Sequence, residues 1–149
     1  MVDLGRLEEF VVAAVEACPT IESYEIVHSE SEFKDVSEHV RDWPLLVCVL
    51  PGATGDDGAH DNIAEKNEGL FFVLKPMTER QTRTERMDLW KLTAQGMKEF
   101  KEFLHQQVTG DFRDLFGDID LKERTQQPEY NIADCNGWSL LFSYSTDWF

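Results

Sequence analysis

Trp43-Pro44-Leu45-Leu46-Val47-Cys48-Val49-Leu50 is a continuous apolar run closed by Pro51-Gly52. A run this short with no polar position is the pattern of a strand covered on both faces, which predicts a central place in a sheet. Gly69-Leu70-Phe71-Phe72-Val73-Leu74-Lys75 repeats the pattern and is stopped by Pro76. The two runs are expected to form an antiparallel pair joined by a long hairpin loop. The intervening Gly52 to Glu68 holds Gly52, Gly55 and Gly58 among acids and asparagines. It is too polar to pack and reads as an exposed loop at about 52–68. Loops of this length usually have a use.

Toward the N-terminus, Asp3 is a plausible helix cap, and Leu4, Leu7, Val11, Ala14, Val15 and Cys18 recur along one helical face before Pro19 ends it. Thr20 to His28 alternates as a half-exposed strand. Ser29 to Asp42 is acidic with scattered apolar positions and fits either a short surface helix or an ordered loop. Toward the C-terminus, Thr78 to Val108 reads as a long helix. Met87, Trp90, Ala94, Met97, Leu104 and Val108 form one stripe, with Leu89, Leu92, Phe100 and Phe103 beside it. Arg83, Arg86, Lys91, Lys98, Lys101 and Glu102 gather on its other face; Arg80, Arg83, Arg86, Lys91 and Lys98 are expected to be a solvated surface paired with Glu79, Glu85, Asp88 and Glu99, with a small anion site as the alternative. Gly110 stops this helix, and Phe112, Leu115 and Phe116 anchor a turn. Asp118 to Asp134 is an interrupted edge strand, and Asn136-Gly137 marks a tight turn into a clean period-two strand from Trp138 to Ser145. The expected fold is α+β: one domain over 1–149, with an antiparallel or mixed β-sheet packed by an N-terminal helix and one long central helix.

With 149 residues and 42% hydrophobic content, the chain suits one globular domain. Its net charge of −15 repels phosphate backbones and anionic membrane surfaces. Nonspecific nucleic-acid binding is therefore disfavoured. No apolar stretch approaches the length of a spanning helix or a secretory signal, so neither is expected. Cys18, Cys48 and Cys135 lack metal or redox spacing and suit a reducing compartment as buried thiols.

Catalytic signatures are thin. The chain has no nucleophile elbow, P-loop, dinucleotide fingerprint or zinc motif, and His28, His39, His60 and His105 sit on separate elements. No enzyme and no cofactor is expected. Asp56, Asp57, His60, Asp61 and Asn62 are ligand types that a divalent cation uses, but their spacing fails the EF-hand register, and a solvated hairpin tip is the reading taken. A small enzyme assembled from His105 with Cys135 or Asp134 is the least supported alternative. Trp148 and Phe149 place two large aromatic surfaces after the last strand, where they either fold back into the core or dock on a partner. Together with Asp56, Asp57 and His60 they are the candidate protein–protein contacts.

The helix, the strand pair carrying Trp43-Pro44-Leu45-Leu46 and Leu70-Phe71-Phe72-Val73-Leu74-Lys75-Pro76, the long helix, and the strand Asn136-Gly137-Trp138-Ser139-Leu140-Leu141-Phe142 resemble small neck or tail-completion proteins of tailed bacteriophages. The tail-terminator type is the nearest. The likeness lies in size, element order and hairpin placement. It implies a noncatalytic, ring-forming joint, commonly sixfold, that caps the tail tube and joins it to the head. Its partners would be its own copies and other virion proteins, assembled in the bacterial host cytoplasm, with DNA passing an acidic lumen. The competing expectation is an acidic binding inhibitor, an immunity protein or DNA mimic, acting on a basic partner.

Overall fold

The Asp3 carboxylate accepts hydrogen bonds from the Gly5 and Arg6 amides at 2.9 and 3.2 Å, satisfying donors that a helix leaves orphaned at its start. In the computed structural model, which describes residues 1–56 and 64–147, with side chains over 1–52 and 65–146, this cap opens α1 (Leu4–Ala17). There follow β1 (Ser23–Val27), α2 (Glu30–Ser37), β2 (Leu45–Val49), β3 (Ala53–Asp56), β4 (Ala64–Pro76), α3 (Arg83–Gln106), α4 (Arg113–Phe116), β5 (Ile119–Ile132) and β6 (Cys135–Asp147). The strands form one mixed sheet in the order β1-β2-β4-β6-β5, so the domain is α+β. β1 runs parallel to β2 and every other pairing is antiparallel.

Both apolar runs are strands, paired as their pattern demands, with Leu45 opposite Leu74 and Val49 opposite Leu70. β2 is buried on both faces because α1 and α3 cover one side and α2 the other. Ser29 caps α2 through Glu32, which decides the open choice over Ser29 to Asp42 in favour of a helix. Part of the expected 52–68 loop is instead strand. After Pro51-Gly52, β3 continues along the same side of β4 as β2, pairing Ala53 with Asn67 and Asp56 with Ala64. Residues 57–63 lie outside the described residues.

The main core is aromatic. Phe10 of α1 packs edge-on to Phe71 and Phe112 and lies 4.6 Å from Phe116 between ring centres. Phe71 and Phe142 stack on adjacent strands. Edge-on and offset pairs of this kind add about 0.5–1.5 kcal/mol each beyond the area they bury. Periodicity missed the rotation of two helices about their axes. Leu4 is exposed while Phe10 is in the core, and Met87 and Leu92 of α3 are exposed while Thr93 and Gly96 are buried. Thr93 tolerates burial because its hydroxyl donates to the Leu89 carbonyl at 2.9 Å.

The Asn136-Gly137 turn is corrected. The reversal between β5 and β6 uses Ala133 and Asp134, with φ of 50° and 63°, while Asn136 and Gly137 already pair in β6 with Lys75 and Leu74. Asn136 supports the turn from inside the strand, its side-chain oxygen accepting the Asn131 amide at 2.9 Å.

Candidate interaction surface

β4 is laddered to β6 over its whole length, from Ala64 opposite Asp147 to Pro76 opposite Cys135. Tyr144, opposite Asn67, is the last core residue on this ladder, and three further pairs carry it past the core. The arm is braced at its root. Asn67 is buried, and its amide donates to the Thr146 hydroxyl at 2.9 Å and to the Glu65 carbonyl at 3.3 Å. Asp56, Ala64 and Asp147 are register partners in one row across β3, β4 and β6. Asp57 follows Asp56 and Trp148 follows Asp147, so the two candidate contact segments join the sheet at one end. The side chain of Asp56, and Asp57, His60, Trp148 and Phe149 themselves, lie outside the described residues.

A second surface lies at the β5 edge. The Asp120 carboxylate accepts the Lys122 and Glu123 amides at 3.0 and 3.3 Å, and the register with β6 slips between Asp120 and Thr125. The ladder to β6 is interrupted over this stretch of the edge strand, where three extra residues stand on the β5 side. Between it and α3 lies a cleft of about 300 Å³ with Ile119, Leu121, Leu140 and Phe142 among its apolar walls. Lys98, Lys101 and His105 of α3 and Arg124 of β5 rim it, with Glu102 among them. Spacings of three, four and seven residues put the helical members on one face. Sequence reading put Lys98 and Lys101 on a basic face but did not join His105 to them, and it gave no role to Arg124, which the tertiary fold sets across the cleft on β5.

The expected pairing of the basic face of α3 is not formed as drawn. Glu99 instead binds Thr20, accepting its amide at 2.9 Å and its hydroxyl at 2.6 Å, together with the Gln95 amide. Burial pushes the Glu99 carboxyl up, but these hydrogen bonds outweigh it and hold it below its ordinary range. Glu85 binds its own helix cap, Thr82. Among the described residues, Lys98, Lys101 and Arg124 make no ion pair.

The fold separates His105 from Cys135. His105 rims the cleft on the α3 side of the sheet, while Cys135 is buried on the α2 side among Val27, Phe33 and Leu74. Burial, reinforced by the neighbouring Asp134 charge, raises the Cys135 thiol to about 12. That is the opposite of what a nucleophile needs. Among the described residues no group of three or more His, Cys, Asp or Glu side chains could hold a metal ion. Among them, too, no helix is long and apolar enough to cross a membrane.

Compared with known proteins, the chain matches no family model and no curated sequence.

Proposed function

We propose that this protein is a noncatalytic structural joint of a phage or phage-like particle, a ring-forming tail-terminator or neck component between head and tail. The observation that carries this reading is the row Asp56, Ala64 and Asp147 at the end of the β3–β4–β6 arm. A ladder braced by Asn67 holds Asp56 and Asp147 in one row at the end of the arm, and a hydrogen-bonded arm meets a neighbour at a smaller entropic cost than a free loop. A head-to-tail ring needs such asymmetry, because each copy offers its neighbour a different surface. Net charge of −15 suits a lumen through which DNA slides without adhering. In this reading the partners are its own copies and other tail or neck proteins, and the protein ends in the virion.

The test is absolute mass by light scattering over a concentration series at low and high salt, followed by negative-stain imaging. A discrete multimer, strengthened by salt because screening relieves repulsion between acidic copies, supports the joint. A monomer at every concentration overturns a self-assembling ring. The same charge motivates the second reading, an acidic inhibitor of a basic partner, which a monomer captured salt-sensitively by basic proteins supports.

A further inference from the structure

The acidity that suits a lumen also opposes assembly, so a ring of this chain needs an interface where carboxylates meet cations. Among the described residues, two surfaces of complementary charge stand on opposite faces of the sheet. At the β5 edge, Lys98, Lys101, His105 and Arg124 rim the apolar cleft, with Glu102 the acid among them. On the other face, α2 and its C-cap expose Glu30, Asp35 and Glu38 around Lys34. Beneath these acids, Phe33 is buried and Val36 packs against the second core cluster, so the helix is firmly seated.

We propose that the cleft between α3 and β5 of one copy receives the acidic outer face of α2 of a second copy. The inference rests on the ring reading and names its interface. The occupant follows from charge and topology together. A chain with Asp+Glu 29 against Lys+Arg 14 has few cations to spare, yet three of them converge on this one cleft without an ion pair among the described residues. The cleft opens on the α3 face of the sheet and α2 packs on the opposite face, so donor and acceptor look away from each other. A contact between different patches on opposite faces is heterologous, and it closes a ring where its repeated rotation completes a full turn. A self-complementary dimer would need both patches on one surface. The apolar floor of the cleft lowers the local dielectric and excludes water once covered, which strengthens the charge pairs and shields them from salt.

A reciprocal charge swap tests this in the intact chain. One variant carries Lys98→Glu, Lys101→Glu and Arg124→Glu; the other carries Glu30→Lys, Asp35→Lys and Glu38→Lys. Each alone is expected to associate about tenfold or more weakly than the unaltered chain in light scattering. An equal mixture is expected to regain the multimer, because the acidic cleft of the first matches the basic α2 of the second and the reverse pair stays intact. Circular dichroism and melting temperature identify a variant that fails to fold. For that case the neutral set Lys98→Gln, Lys101→Gln and Arg124→Gln replaces it and is expected to weaken association in the same direction. Variants that assemble like the unaltered chain, or two folded variants whose mixture stays monomeric, overturn the proposed interface while the ring reading stands. An unaltered chain that is monomeric throughout overturns both.

Discussion

A Cβ placed on Gly137 would stand 1.9 Å from the carbonyl oxygen of Val73 and 2.9 Å from its carbonyl carbon, both backbone atoms of the neighbouring strand β4. Main-chain atoms within a ladder cannot move aside as a side chain can, so no residue larger than glycine fits without displacing β4 from β6. Gly137→Ala is expected to cost roughly 3 kcal/mol or more, in the range of severe overpacking. Gly52, which has open space where its Cβ would lie, is the control. Gly52→Ala should change stability by less than about 0.5 kcal/mol. Urea denaturation midpoints of the two variants check the contrast, and equal midpoints would refute it.

Phe10 is the hub of the ring cluster that joins α1, α3, α4 and β4. It is fully buried, and its removal leaves a void bordered by rigid rings that collapse poorly. Phe10→Ala is expected to lose about 3–5 kcal/mol, whereas Leu4→Ala, on the exposed face of the same helix, should lose well under 1 kcal/mol. Thermal melts of both variants measure the difference.

Arg6 and Asp114 are joined by two parallel hydrogen bonds, Nε to Oδ2 and Nη2 to Oδ1, each 2.9 Å, while the guanidinium lies 4.6 Å from the centre of the Phe112 ring. The hydrogen bonds from Arg6 hold the Asp114 carboxyl below its ordinary value, against a smaller opposing effect of burial. A carboxyl lowered in the folded state stabilises the fold above its unfolded value and loses that contribution as pH falls through the folded one. Melting temperature should therefore drop less between about pH 5 and pH 2 in Asp114→Asn than in the unaltered chain. Some slope should persist, because Glu99 is lowered as well. Identical slopes would show that the pair contributes nothing.

The thiols should be inert in the native protein. Burial raises Cys48 to about 12, and burial with the charges of Glu99 and Glu102 raises Cys18 to about 11. With Cys135 at about 12, almost no thiolate exists near neutrality. A chromogenic disulfide reagent at pH 8 is expected to label the folded chain at least about a hundredfold more slowly than the chain in urea. Rapid labelling of one thiol in the folded chain would place that cysteine at a site that opens.

Much of this fold was legible because its signals are local. Asp3 caps α1, the two apolar runs pair antiparallel, and Trp138, Leu140, Phe142 and Tyr144 face the core in alternation. Each depends on a residue's chemistry within a few neighbours or on a period of two, which burial enforces along a strand. The turn at Ala133-Asp134 was misplaced because Asn136-Gly137 has ideal turn chemistry. The reason for a glycine at 137 is the approach of Val73, sixty-four residues earlier in the chain.

By itself the sequence determined the fold class, the paired buried strands and the charge of −15, since burial pattern and ionisation are properties of residue type. Only the tertiary structure decided the rest. It rotated α3 to bury Thr93 and Gly96 in place of Met87 and Leu92, because the helix seats on whatever surface Val73 and Ile21 leave it. It set Arg124 across the cleft from Lys98 and Lys101, and it put α2 on the opposite face of the sheet from them. Those placements depend on strand order and register, which follow from the packing of the whole sheet and leave no trace in local spacing.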